Sequence, residues 1–205
     1  MKKIFVCFLF VCFQFINGQS KTTKEYAILF IGNSLTYYNN LPNLVVEYAK
    51  KNKEIIVTTQ MIAFPNYAIE DHWKEGKIQK LLKSKSFDYI IIQQGPSSQE
   101  AGRKMLIDYG EKLQKLSKSS NSQLCYFMVW PSLTYYNTFN NVIKNHKEAA
   151  NLNSATLIPV GEYWKSYVEK NKDYSFYGQD GFHPSEKGSK IAAKIIVDTL
   201  FSSNK

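Results

Sequence analysis

Two short segments at opposite ends of the sequence contain the residue types that can activate a serine hydroxyl. Ser34 lies in LFIGNSLTYY, two residues after an apolar run that ends in glycine, and Asp180 precedes His183 by three residues in DGFHPSEKGS. A serine hydroxyl becomes a good nucleophile when a histidine, oriented by a carboxylate, takes its proton. The two segments therefore predict nucleophilic acyl transfer, provided that folding brings them together.

The base in this arrangement is predicted to be His183, because the other two histidines have simpler interpretations. His146 lies in the polar segment NHKEAAN, which indicates an exposed helix, and His72 lies in IEDHWK, where a packed or capping side chain is expected. A glycine between Asp180 and His183 lets the loop turn sharply, so the carboxylate can accept a hydrogen bond from one ring nitrogen. Taken alone, D-x-x-H-P is equally consistent with a turn followed by a helix cap.

The elements that must position these residues alternate along the chain. Runs rich in β-branched and aromatic residues predict strands that are buried on both faces. These runs are Tyr26–Gly32, Ile55–Phe64, Asp88–Gly95, Leu124–Trp130 and Thr156–Gly161. Amphipathic helices are predicted over residues 40–51, 68–84, from after 98 to about 117, 139–150 and 185–201. The alternation predicts an α/β fold with a parallel sheet and helices on both of its faces.

Ligands of such sheets bind beyond the carboxyl ends of the strands, near the point where the strand order reverses. The segments that follow the five predicted strands are GNS, FPNYA, QQGPSS, WPSLTYY and GEYW. Functional residues are therefore expected in these segments, and the serine of GNS is one of them.

The sequence resembles the SGNH hydrolases, also called GDSL-type esterases and lipases. The resemblance rests on GNSL after the first strand and DGFHP before the last helix, and it covers essentially the whole mature chain in order. It implies a flavodoxin-like, three-layer α/β/α fold with a parallel sheet of about five strands. It also implies a catalytic triad of Ser34, Asp180 and His183. Asn33 replaces the aspartate of the GDS triplet, which leaves the nucleophile unchanged.

The resemblance further implies an oxyanion hole, and here the sequence departs from the family pattern. The second block of the family supplies a glycine N–H, but AFPNYAIEDHW has Pro65 and Asn66 at this place. Proline has no N–H, so Asn66 is the expected donor beside the N–H of Ser34. The third block supplies an asparagine side chain, for which DYIIIQQGPSS offers either Ser97 or Gln93. A missing third donor, with slower turnover, is the remaining alternative.

Aromatic residues are expected around the cleft. The predicted substrate rim consists of Asn33, Tyr37, Tyr135 and Phe182. Aromatic platforms suit a sugar ring, although the same rings are also suited to packing beneath loops. We expect a serine esterase that removes acetyl groups from carbohydrate and accepts a small or polysaccharide ester. A lipid or short-chain ester hydrolase, an O-acyltransferase, and a carbohydrate-binding protein with weakened catalysis are the alternatives.

The charge of the chain does not indicate a nucleic-acid partner. The formal net charge is +9, but the lysines are scattered over predicted helix faces and loops, and Arg103 is the single arginine. Nucleic-acid sites usually combine clustered basic residues with arginine forks. The mature chain has three histidines and one cysteine, and they do not have the spacing of a metal site, so no metal is expected. The sequence also has no phosphate-binding or dinucleotide-binding motif, so no cofactor is expected.

The first residues have the composition of a secretory signal peptide, with two lysines, an apolar stretch and then small or polar residues. We expect residues 1–18 to be removed and residues 19–205 to form one hydrolase domain that is secreted or periplasmic. The mature chain would keep only Cys125, which excludes an internal disulfide and is expected to be buried. No second segment predicts stable membrane insertion, and the sequence does not indicate an oligomeric state.

Overall fold

A computed structural model describes residues 24–202 of the chain. The predicted signal peptide, residues 1–18, lies outside the described residues. The strands are β1 (Glu25–Gly32), β2 (Ile56–Ala63), β3 (Tyr89–Ile92), β4 (Gln123–Phe127) and β5 (Thr156–Ile158). The α-helices are α1 (Ser34–Tyr37), α2 (Leu41–Lys53), α3 (Ile69–Glu75), α4 (Lys77–Ser84), α5 (Glu100–Ser119), α6 (Phe139–Leu152), α7 (Val160–Asn171) and α8 (Glu186–Leu200), and short 3-10 helices cover Tyr38–Asn40 and Leu133–Thr138.

The five strands form one parallel sheet in the order β2-β1-β3-β4-β5. This is the flavodoxin-like order, and the predicted α/β fold with five parallel strands is confirmed. After β1 the chain adds β2 on one side and then crosses to add β3 on the other side. The strand order therefore reverses between the carboxyl ends of β1 and β3, which is where a ligand cleft is expected.

Both faces of the central strands are buried, as the continuous apolar runs predicted. In β1, Ile28 and Phe30 point into the core layer beneath α2, α7 and α8, while Leu29 and Ile31 point into the layer beneath α3, α4 and α5. All four side chains are fully buried. Alternate residues of one strand thus fill two separate cores, and this double burial fixes the position of the carboxyl end of β1.

The prediction that every strand is buried on both faces is wrong for β2. This strand pairs only with β1 and forms one edge of the sheet, so Ile56 and Met61 remain 43% and 42% exposed. The last predicted strand is also shorter than expected. It ends at Ile158, because Pro159 has no N–H to extend the ladder and α7 begins at the next residue.

The helix predicted over residues 68–84 is two helices. Gly76 has a φ of 72° and separates α3 from α4, and its N–H caps α3 by donating to the carbonyl of Trp73. The other predicted helices agree with α2, α5, α6 and α8 to within a few residues. Within residues 24–202, no helix has both the length and the apolar character needed to cross a membrane.

The side chains of Cys125 and His146 are both buried in the interior of the protein. Cys125 is the free cysteine of the described chain, and burial raises the pKa of its thiol to about 12. The prediction that His146 is exposed is wrong. Its ring is buried on α6, Nδ1 donates to the carbonyl of Val142 at 2.8 Å, and burial lowers its pKa to about 4.

Candidate active site

Ser34 is held at the carboxyl edge of the sheet by a short turn that joins β1 to α1. Asn33 has extended backbone and caps α1, with its side-chain oxygen accepting a hydrogen bond from the N–H of Leu35 at 3.1 Å. Ser34 is therefore the first residue of the helix. Its side chain emerges directly beyond the end of β1, at the reversal of strand order.

The structure brings together the three residues that the sequence predicted as a triad. Ser34 Oγ lies 3.0 Å from His183 Nε2, and His183 Nδ1 lies 2.6 Å from Asp180 Oδ2. The other carboxylate oxygen of Asp180 accepts hydrogen bonds from the N–H groups of Phe182 and His183, both at 2.9 Å. The hydrogen bond from His183 and these two N–H groups lower the pKa of Asp180, against the smaller opposing effect of burial. The carboxylate is thus ionised at neutral pH and faces the imidazole.

The loop that contains Asp180 and His183 is held by a tryptophan that follows β4. Trp130 Nε1 donates to the carbonyl of Phe182 at 2.9 Å, and the Trp130 ring stacks on Trp164 with centroids 3.5 Å apart. Both tryptophans are fully buried. Gly181 has a φ of 68°, which gives the loop the sharp turn expected between Asp180 and His183.

The side chain of Gln93 is buried beneath the turn of Ser34 and forms hydrogen bonds through both its oxygen and its nitrogen. Its Oε1 accepts hydrogen bonds from Asn33 N–H at 2.9 Å and from the Thr36 hydroxyl at 2.7 Å, and its Nε2 donates to the Gln94 carbonyl at 2.6 Å. A Cβ on Gly32 would lie only 2.5 Å from Gln93 Oε1, so this position requires glycine. Gln93 therefore supports the turn from below, a role that differs from its predicted place in the oxyanion hole.

The side chain of Ser97 is also used within its own loop. Its hydroxyl donates to the Gly95 carbonyl at 2.8 Å and accepts from Gln94 Nε2 at 2.8 Å. Its backbone is left-handed, with a φ of 59°, and its carbonyl accepts from Asn145 Nδ2. Ser97 lines the cleft, but in this arrangement its hydroxyl hydrogen is committed to a backbone carbonyl.

Asn66 lies in the loop between β2 and α3. Its φ of 62° is the left-handed conformation that asparagine tolerates, and it lines the same cavity as Ser34. Among the described residues, neither the N–H of Ser34 nor that of Asn66 donates a hydrogen bond. Both groups are thus available as donors to a ligand oxygen.

His72 supports the same turn from the side of α3. Its ring is buried against Phe64 and Tyr67, and Nε2 donates to the Gly32 carbonyl at 2.8 Å. Burial is the main cause of the lowered pKa of His72, so the ring is neutral. The prediction of a packed side chain is confirmed. Its hydrogen bond to the last residue of β1 could not be read from the local sequence.

Two adjoining cavities form the cleft. The smaller, of about 370 Å³, contains Asn33, Ser34 and Asn66, and the larger, of about 710 Å³, contains Asp180 and Tyr135. Phe182 borders both cavities. The Tyr135 side chain is 65% exposed. Of the predicted rim residues, Asn33, Tyr135 and Phe182 therefore line the cleft.

The fourth predicted rim residue, Tyr37, lines neither cavity and is half-buried on α1. Its neighbour Tyr38 is the residue that reaches the site, with its ring stacked on that of His183. No group of histidine, cysteine, aspartate or glutamate side chains within the described range could hold a metal ion.

A family model described as GDSL-like lipase/acylhydrolase matches residues 14–196. No curated protein matches the sequence. Among solved structures, a protein from Slackia heliotrinireducens assigned to the SGNH hydrolases has a TM-score of 0.75 and 20% identity, covering 87% of this chain and 100% of that chain.

Two further solved structures have the same fold. The lipase/acylhydrolase from Enterococcus faecalis has a TM-score of 0.65 and 16% identity, covering 85% of this chain and 95% of its own. A catalytic mutant of an acetylxylan esterase from Geobacillus stearothermophilus has a TM-score of 0.65 and 15% identity, covering 88% and 96%. At these identities the likeness concerns the fold.

The family assignment rests on the family model, which spans most of the chain. The sheet order and the position of Ser34 beyond β1 agree with it. This chain belongs to the GDSL-like lipase/acylhydrolase family, and so to the carboxylic ester hydrolases.

Proposed function

We propose that the protein cleaves esters by two-step acyl transfer through Ser34. The observation that carries the proposal is the continuous path of hydrogen bonds from Ser34 Oγ through the His183 ring to Asp180, with lengths of 3.0 and 2.6 Å. Such a path lets the imidazole accept the hydroxyl proton while the carboxylate stabilises the positive charge that forms on the ring.

In the first step, His183 Nε2 takes the proton of Ser34 as Oγ bonds to the ester carbonyl carbon. The tetrahedral intermediate then collapses, the bond to the alcohol oxygen breaks, and the imidazolium returns its proton to that oxygen. In the second step, His183 takes a proton from water, which attacks the acyl-enzyme. Collapse releases the carboxylic acid and restores the serine hydroxyl.

The negative oxygen of each tetrahedral intermediate is placed against the N–H groups of Ser34 and Asn66. Both residues line the smaller cavity, and within the described structure neither N–H donates elsewhere. Backbone donors fixed in this way stabilise charge that develops in the transition state. The side chains of Gln93 and Ser97 have other partners, so the proposed oxyanion hole consists of these two backbone donors.

We further propose that the substrate is an acetylated carbohydrate. The larger cavity combines the exposed ring of Tyr135 with the hydroxyl-bearing residues Ser98, Ser132, Thr134 and Thr138. An aromatic face can pack on a sugar ring while hydroxyl groups satisfy sugar hydroxyls. A solved structure of similar fold is an acetylxylan esterase, which supports this choice.

The first experiment measures hydrolysis of p-nitrophenyl acetate by the wild type and by Ser34→Ala. We expect kcat to fall by about 10³-fold or more in the variant. Ser119→Ala is the matched control, because Ser119 is an exposed serine at the end of α5 whose hydroxyl bonds only the Leu116 carbonyl. Equal activity of Ser34→Ala and the control would contradict the mechanism.

The second experiment compares acetate release from acetylated xylo-oligosaccharides with release of fatty acid from long-chain esters. We expect a higher kcat/KM for the acetylated sugar. A preference for the long-chain ester would contradict the carbohydrate proposal and leave the esterase mechanism intact.

Export is a separate part of the proposal. We propose that residues 1–18 direct secretion and are then removed. Mass spectrometry of the protein recovered from the medium or periplasm should show a chain that begins near residue 19. Recovery of the full-length chain only from the cell interior would contradict this.

A further inference from the structure

The ring of Tyr38 lies flat against the ring of His183. The two ring centroids are 4.5 Å apart and the ring planes are inclined by only 17°. The neighbouring ring of Phe182 meets the same imidazole with its edge, at 5.2 Å and 63°. The base is thus covered on one face by an aromatic ring that is itself 40% exposed.

The position of Tyr38 is fixed by the same turn that presents the nucleophile. Tyr38 follows Ser34 by one helical turn, and its N–H donates to the Ser34 carbonyl. The next residue, Asn39, has a φ of 51°, and its side chain donates to the Pro184 carbonyl at 2.9 Å and to Ser189 Oγ at 3.0 Å. The turn of the serine is therefore tied directly to the residue that follows the base.

This stacking has a chemical consequence for the reaction. In the proposed mechanism the ring of His183 becomes positively charged in each transition state, and the face of an aromatic ring attracts a cation. The groups in contact with this imidazole are the carboxylate of Asp180, the hydroxyl of Ser34 and the rings of Tyr38 and Phe182. Asp180 acts on one edge of the ring, and Tyr38 acts on its face.

We propose that Tyr38 is a positioning residue for the base: its ring holds the imidazole of His183 in line with Ser34 and stabilises the imidazolium that forms during acyl transfer. This inference rests on the proposed function. It assigns Tyr38 a role that is distinct from substrate binding, because the ring acts through the base.

The test compares Tyr38→Leu, which removes the aromatic face, with Tyr38→Phe, which keeps it. In Tyr38→Leu we expect kcat/KM for p-nitrophenyl acetate to fall by about two- to fivefold through kcat, with KM nearly unchanged. The acidic limb of kcat/KM against pH should move about 0.4 to 0.7 pH unit toward lower pH, because the protonated ring is less stabilised. Tyr38→Phe should remain within about twofold of the wild type and keep its pH profile.

A rise in KM for an acetylated sugar, with an unmoved pH profile, would make Tyr38 a substrate platform and overturn the proposal. Equal kinetics in Tyr38→Leu and the wild type would also overturn it. Thermal unfolding of both variants shows whether they fold.

A measurement without catalysis separates this inference from the proposed function. In the Ser34→Ala protein, the NMR signal of the His183 ring should show the upfield ring-current shift of a stacked imidazole, and adding Tyr38→Leu should remove it. The other two histidines are buried, which helps to distinguish the signals. Absence of the shift would overturn the inference about Tyr38 whatever the activity. Full esterase activity of Ser34→Ala, with the shift present, would instead overturn the proposed mechanism and leave only the stacking of Tyr38 on His183.

Discussion

Replacing Gln93 by leucine should reduce the stability of the fold through the turn of Ser34. Leucine fills a similar volume but accepts no hydrogen bond. The N–H of Asn33 and the hydroxyl of Thr36 would therefore both lose their acceptor, at a place where Gln93 is only 1% exposed. Because the site is buried, water cannot readily take the place of the lost acceptor oxygen.

The magnitude follows from these two donors. A buried donor left without a partner costs about 1–3 kcal/mol, so Gln93→Leu should lower the free energy of unfolding by about 2–6 kcal/mol. Thr36→Val removes one hydrogen bond and leaves Gln93 Oε1 bonded to Asn33, so it should cost about 1 kcal/mol. In the Gln93→Leu background, Thr36→Val removes an unpartnered hydroxyl and should be neutral or stabilising. The predicted coupling between the two substitutions is about 1–2 kcal/mol.

The assay is urea unfolding of the wild type, both single variants and the double variant, followed by circular dichroism. Esterase activity is measured on the same samples and corrected for the folded fraction. Two results would refute the reasoning. One is additive losses in the double variant. The other is an unchanged unfolding free energy in Gln93→Leu with kcat reduced by about 10²- to 10³-fold, which is the signature of a lost oxyanion donor.

Three further predictions concern buried groups. The pKa of His146 is about 4 in the folded protein, so between pH 6.5 and 4 the unfolded chain binds a proton that the folded chain does not. The free energy of unfolding should therefore fall by up to about 3 kcal/mol as the pH decreases through this window. Urea unfolding at several pH values should show a smaller decrease in His146→Gln, and an equal decrease in both proteins would contradict the assignment. Gly110→Ala should lower the free energy of unfolding by about 1–3 kcal/mol, because the new Cβ would lie 1.6 Å from the hydroxyl of Tyr126. Gly95→Ala is the control: its new Cβ meets nothing within 4 Å, so it should be nearly neutral in the same assay. The buried thiol of Cys125, with its pKa raised to about 12, should react with a thiol-specific dye only after unfolding, and rapid labelling of the native protein would contradict this.

The three proposed catalytic residues could be placed from the sequence because each lies next to a local landmark. Ser34 follows a buried strand, and Asp180 and His183 precede the final helix. The support of the site could not be predicted in this way. Gln93 and Gln94 directly follow β3, and their side chains go to different places: Gln93 reaches Asn33 and Thr36, whereas Gln94 reaches Ser97. Two adjacent glutamines look alike in the sequence, and only the folded structure shows which of them faces which loop.

The errors in the fold have similar physical causes. The apolar run of β2 looks like that of an interior strand, but its place at the edge follows from strand order, which local sequence does not specify. The sequence did contain a signal for His146. One face of α6 is buried and contains residues at helical spacing, namely Val142, His146, Ala149 and Ala150. The spacing of His146 from these apolar residues therefore indicated burial better than its polar neighbours in the sequence indicated exposure.

The proposed nucleophile belongs to the first part of the described fold, and its proposed base belongs to the last. Ser34 follows β1, whereas His183 lies in the loop before α8, which packs on α2. Ribosomes deliver a polypeptide amino end first, so the serine emerges long before the imidazole that activates it. In the proposed mechanism, a polypeptide that ends before His183 lacks its base, so esterase activity should require synthesis of nearly the whole described fold.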